Sequence, residues 1–104
     1  MTTTESRHGA DTMLDEAWVL SPAVALRPEP FGAMAYHFGN RKLTFLKKHE
    51  LVAVVRSLGE CAIVRDALLQ AAIPEAQWTA YLAALRSLAA TDMIRASEGK
   101  TLDD

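Results

Sequence analysis

The stretch at residues 31–46, FGAMAYHFGNRKLTFL, constrains the fold of this chain more than any other. Apolar and polar residues alternate on both sides of Gly39-Asn40, and the residues that follow switch to a helical period. That is the pattern of a β-hairpin running into a helix. With Gly39-Asn40 as a two-residue type II′ turn, Phe38 pairs with Arg41, Tyr36 with Leu43 and Met34 with Phe45. Five of these six residues are apolar or aromatic, whereas the pairs on the other face, His37 with Lys42 and Ala35 with Thr44, are small or polar. The aromatic face is therefore expected to meet the core, since a slip by one residue would bury Lys42 and expose Phe45. The outer edge, the main chain of RKLTFL, is left over once the core is satisfied.

Around the hairpin the order is strands first, then helices. Residues 23–27 read as a short strand ended by Pro28-Glu29-Pro30, prolines that confine it to the edge or start of a sheet. A first helix over 47–58 carries Leu51, Val54, Val55 and Leu58 on one stripe, with Gly59 as its stop. A second over 62–71 aligns Val64, Ala67, Leu68 and Ala71. The third begins near Pro74, where a missing N–H costs nothing, and aligns Trp78, Leu82, Leu85 and Ala89 up to Ala90. Met93-Ile94 folds back as a short apolar end. The spacing predicts an α+β domain over 18–94, a three-stranded antiparallel sheet followed by three helices. The tight link Ala72-Ile73-Pro74 before the longest helix makes it winged helix-turn-helix-like. Residues 1–17 and 95–104 lack apolar periodicity and read as disordered tails.

Several function classes fall away. A chain of 104 residues with a net charge of -2 supports one core. No apolar run approaches the roughly 20 residues of a membrane span, and the N-terminal residues lack the basic-then-apolar order of a secretory signal, so a cytoplasmic protein is expected. Cys61 is the only cysteine, which rules out an internal disulfide and a cysteine-rich zinc site. His8, His37, His49, Asp11, Asp15 and Cys61 include no close-spaced ligand pair, so neither metal nor cofactor is expected. Cys61 reads as a small buried thiol at the start of the second helix rather than a nucleophile, and no glycine-rich phosphate loop is present. Enzymatic activity is not expected.

The helix order raises duplex DNA as an alternative, a winged-helix regulator. Its reading helix would need donors for base edges and cations for phosphates, but EAQWTAYLAALRSLAAT carries only Glu75 and Arg86 as charges. The cations cluster instead at Arg41, Lys42, Lys47 and Lys48, flanking the last strand. Lysines there protect an edge from aggregation, and they also suit an edge that accepts an acidic, extended peptide as an added strand. On the third helix a 100° step sets Gln77, Tyr81, Ala84 and Leu88 on one flank. That flank either widens the core stripe or walls a groove beside the strand.

The string ALRPEPFGA-x-x-YHFG, within residues 22–94, resembles the PqqD-like precursor-peptide recognition domains, and among them the MftB-type peptide chaperones of mycofactocin biosynthesis. The resemblance implies a non-catalytic domain that binds the leader of a short precursor peptide and delivers it to a radical S-adenosylmethionine maturase, with no nucleic acid or membrane partner. It also implies that the leader pairs antiparallel to the third strand and packs beside the third helix. On this chain the peptide-binding positions are then Arg41, Lys42, Leu43, Thr44, Phe45 and Leu46, with Gln77, Tyr81, Ala84 and Leu88. If the Thr44 N–H faces the free edge, Thr44→Pro abolishes binding. Such families place an Asn or Asp and a Ser-type cap after the third strand, where this chain has Lys47-Lys48.

Overall fold

In a computed structural model of the chain, which describes residues 13–97, the hairpin closes in the register set by its alternation. Strand β3 (Gly32–His37) pairs antiparallel with β4 (Leu43–Leu46), Tyr36 opposite Leu43 and Met34 opposite Phe45. The turn is wider than expected. His37 N–H donates to the Lys42 carbonyl at 3.0 Å and Arg41 N–H to the His37 carbonyl at 2.8 Å, so residues 38–41 form the loop. Arg41, not Gly39, takes the left-handed conformation, with φ of 63°. Side chains explain the choice: His37 Nδ1 accepts the N–H groups of Gly39 (2.9 Å) and Asn40 (3.1 Å), and Asn40 Oδ1 accepts that of Lys42 at 2.9 Å.

The buried face of the sheet is the opposite of the one expected. Ala33, Ala35, His37 and Leu46 point into the core, while Phe38, Leu43 and Phe45 stand 63%, 48% and 50% exposed. Alternation sets which residues share a face, not which face meets the helices. Small Ala33 and Ala35 let helix α1 (His49–Ser57) approach β3 closely, and the buried polar residue of this face, His37, has its hydrogen bonds met. The two N–H groups at Nδ1 fix the Nε2–H tautomer, which donates to the Asp92 carboxylate at 2.8 Å.

Strand β2 (Val24–Glu29) completes the sheet, in the order β2-β3-β4, and runs two residues further than expected, through Pro28. The bond from Phe38 N–H to the Ala23 carbonyl (2.8 Å) sets the ladder. By antiparallel alternation the Pro28 nitrogen then faces the open edge, where no donor is required. A second ribbon joins β1 (Trp18–Leu20) to β5 (Ile94–Ala96). The expected tails are thus shorter within the described residues: Met13 is buried in the core and Arg95 and Ala96 pair with Val19 and Trp18. The rest of those tails, residues 1–12 and 98–104, lies outside the described residues.

Helices α2 (Val64–Gln70) and α3 (Trp78–Ala90) each end in a left-handed residue, Ala72 (φ 60°) and Asp92 (φ 62°). Paired bonds, Ile73 N–H to Leu68 and Ala72 N–H to Leu69, then Met93 N–H to Leu88 and Asp92 N–H to Ala89, close both as Schellman motifs. Ile73 and Met93 are driven into the core by these reversals. Trp78 Nε1–H donates to the Ile73 carbonyl at 2.9 Å and pins the link between α2 and α3. α1 continues past Ser57 as a 3-10 turn over Leu58–Glu60, so Gly59 lies within that turn rather than acting as a left-handed stop. The core is built from Val54, Val55, Leu58, Val64, Leu68, Leu82 and Leu85, with Tyr81 and Leu88 added to the stripe.

His37 therefore ties the hairpin turn to the end of α3, and Asn40 Nδ2 adds a bond to the Thr91 carbonyl at 3.1 Å. Removing its three bonds in His37→Ala is expected to destabilise the fold by about 2–3 kcal/mol, measured by urea unfolding. The hydrogen bond from His37, and then that from Arg95, hold the Asp92 carboxyl below the usual carboxylate range. A lowered folded pKa adds stability above the ordinary carboxylate range that is lost as pH falls through the lowered value. Asp92→Asn should flatten that acid limb.

Candidate functional site

The geometry of β4 follows from the ladder. Because the Lys42 carbonyl accepts the His37 N–H, alternation turns the main-chain groups of Thr44 and Leu46 toward β3 and those of Leu43 and Phe45 outward. The condition set for Thr44→Pro is therefore not met: the Thr44 N–H belongs to the internal ladder. Among the described residues β4 has no neighbour on its outer side. The sheet's two edges are not equivalent: β2 carries Pro28, whereas residues 41–48 contain no proline. Strand addition needs donors along the edge, and β4 is the edge whose donors no proline interrupts.

Beyond Leu46 the chain turns into α1 with Lys48 at the cap position, extended (φ -141°, ψ 135°) and making no side-chain capping bond. Without a short cap side chain, Lys48 is free to lie across the groove, its Nζ 5.5 Å from the centre of the Tyr81 ring, within cation-π range. A cavity of about 240 Å³ opens here, lined by Lys47, Lys48, Leu51, Ala80, Tyr81 and Ala84. A second, adjoining one brings Gln77 and Pro74 to the same Tyr81 and Lys48. Tyr81 is buried by side-chain area yet forms one wall. Burial, and secondarily the Glu50 charge, push its phenol above the usual tyrosine range, so the hydroxyl remains a donor near neutral pH.

Of the positions expected to meet a peptide, Tyr81 and Ala84 line the first opening and Gln77 and Tyr81 the second, the two openings sharing Lys48 just past the end of β4. Arg41, Lys42, Leu43 and Phe45 are exposed along the strand. Two positions are not placed there. The Leu46 side chain is buried under the sheet and Leu88 is in the core, 4% exposed, without lining either cavity. Thr44 is half-buried on the inner face. Lys47, Lys48, Leu51 and Ala80 also line the groove; the two lysines were expected only to attract the peptide, and Leu51 and Ala80 were not expected there, because Leu51 belongs to the core stripe of α1 and Ala80 falls on the polar side of the α3 wheel. The proline-free passage from Arg41 to Lys48 was the readable signal.

A small α+β domain with a free, basic strand edge beside a helix-walled groove has the make-up of a peptide-binding module. A model of the peptide chaperone MftB family matches residues 17–95, and the chain belongs to that family. It is 49% identical to peptide chaperone MftB of Mycobacterium ulcerans (strain Agy99) over 80 residues, 77% of this chain and 73% of that one. Peptide chaperones MftB of Mycobacterium tuberculosis (46% identical, covering 73% of that chain) and Mycolicibacterium smegmatis (48%, covering 78%) are similar over the same length. No solved structure matches significantly. Among the described residues no helix is long and apolar enough to cross a membrane.

Proposed function

We propose that this chain is a non-catalytic chaperone on a winged helix-turn-helix-like frame, acting in mycofactocin biosynthesis. It takes up the leader of the precursor peptide as a fourth strand beside β4 and presents it to a radical S-adenosylmethionine maturase. The observation that carries this reading is the open, proline-free edge of β4, where the main-chain groups of Leu43 and Phe45 face outward and which leads, at Lys47 and Lys48, to the groove of Tyr81 and Ala84. The family's peptide chaperones supply the role.

Magnitudes show why edge and groove are both needed. About four main-chain bonds at a net 0.5–1.5 kcal/mol each contribute roughly 2–6 kcal/mol. Micromolar affinity needs about 8 kcal/mol. Two aliphatic side chains of the leader in the groove, at about 1.5–3 kcal/mol each, supply the difference, less the cost of ordering the peptide. Arg41, Lys42, Lys47 and Lys48 favour a leader bearing carboxylates. Nothing in the structure favours a duplex: the only charged residue on α3 is Arg86.

Titrating labelled protein with the synthetic leader tests this directly. Amide shifts should concentrate at 41–48 and on the Gln77–Ala84 side of α3, and shifts confined to other regions would refute strand addition. Ala84→Trp should fill the groove, weakening the leader tenfold or more while leaving the thermal midpoint within about 3 °C, because Ala84 is only half-buried.

A further inference from the structure

The inversion of the sheet leaves a surface that neither the core nor the peptide edge explains. Phe31, Phe38, Leu43 and Phe45 account for four of the five large apolar side chains that stay exposed among the described residues. All four lie on or beside the outer face of the sheet, with Met34 and Tyr36 between them. Edge-to-face contacts pair Phe31 with Phe45 at 5.8 Å and Tyr36 with Phe38 at 5.3 Å, and the cross-strand neighbours Met34–Phe45 and Tyr36–Leu43 set the two pairs on one face. Strand addition at β4 uses the main chain of Leu43 and Phe45 and leaves this face uncovered. Clustered exposed aromatics bordered by arginine, here Arg27 and Arg41, are the composition of protein–protein contact centres rather than of solvated surface.

The charges around the patch restrict what covers it. Arg27 stands on the same face opposite Met34, exposed and reaching Glu29 at 3.3 Å. Arg41 flanks the end bearing Phe38, and Lys47 lines the hollow formed by Phe31 and Phe45 at the other end. With cations at both ends, a two-fold pairing of two copies would set cation against cation in either orientation. Residues 1–12 hold Met1 as their only large apolar residue, a composition poorly matched to an aromatic patch. We propose that this face docks a folded protein whose surface is apolar at the centre and carboxylate-rich around it, and that it does so while the β4 edge holds peptide. The second half of this proposal rests on the peptide reading above.

The test uses the full chain and, as probe, the maturase named under the proposed function. Capture of the maturase is measured by biolayer interferometry for wild type, Phe38→Ser and Arg27→Glu, with and without saturating leader. Leader affinity is measured separately by fluorescence anisotropy. Wild type should capture the maturase in both conditions, and each substitution should weaken capture tenfold or more with leader affinity unchanged within twofold. Equal capture by all three proteins overturns the proposal, as does no capture by wild type. A wild-type dimer in sedimentation that Phe38→Ser dissociates would assign the face to a second copy instead. Capture that appears only after deletion of residues 98–104 would assign it to the chain's own acidic end. Capture of maturase without any leader binding would remove the peptide reading and leave the docking face standing.

Discussion

Phe45→Pro should weaken leader binding about 30-fold or more while leaving the domain folded, and Thr44→Pro should do the reverse. The two residues are neighbours, yet the ladder sends their N–H groups in opposite directions, since the Lys42 carbonyl faces His37. A proline at 45 removes a donor aimed at the added strand and stands its ring where the partner carbonyl would sit. Loss of the bond and displacement of the next pair come to about 2–3 kcal/mol, and each 1.4 kcal/mol is tenfold in affinity. A proline at 44 instead breaks the bond to Ala35 inside the sheet, with a stability loss of about 3 kcal/mol. Phe45→Ala keeps the N–H and serves as control, with affinity expected within a few-fold of wild type. Isothermal titration of the leader and urea unfolding of all three variants decide it: equal leader affinity in Phe45→Pro and wild type would end the strand-addition model.

How much of this was legible in the sequence divides along physical lines. Alternation with a period of two fixed the hairpin register, and the 3.6-residue stripes located α1, α2 and α3, because both depend on neighbours along the chain. The buried face did not follow, because both faces of this sheet carry apolar residues. Ala33, Ala35 and Leu46 pack against the helices, although the two alanines carry far less apolar area than the aromatics of the other face. The true clue was steric: a helix packed on a sheet at close range wants alanine there. Both Schellman endings were hidden because Ala72 and Asp92 occupy positions where glycine is the usual signal. His37 looked solvated because a sequence cannot show that Asp92, 55 positions away, completes its hydrogen bonds. For the groove, the α3 flank identified Gln77, Tyr81 and Ala84, while Leu88 followed the core stripe one turn further on.

Gly32→Ala should be the most damaging glycine-to-alanine change among the described residues. Gly32 has φ of 149°, a conformation that side-chain-bearing residues avoid, and a Cβ there would run into the Leu46 carbonyl oxygen and stand 3.2 Å from the Lys48 nitrogen. Both obstacles are main chain and neither has a rotamer to yield. Strain of about 1–3 kcal/mol from the backbone alone, with the collision added, puts the loss near 3–4 kcal/mol. For a domain of this size that is roughly 12–25 °C in thermal midpoint. Gly59→Ala is the matched control, since a Cβ there meets nothing within 4 Å, and its midpoint should stay within about 3 °C of wild type. The position also matters for the site. Gly32 backs onto residues 46–48, where β4 ends and the groove of Lys47, Lys48 and Tyr81 begins. Any fraction of Gly32→Ala that folds must therefore displace this junction, and its leader affinity should fall along with its stability. A Gly32→Ala protein that melts within about 3 °C of wild type would show that the start of β3 does not lie against Leu46 as described.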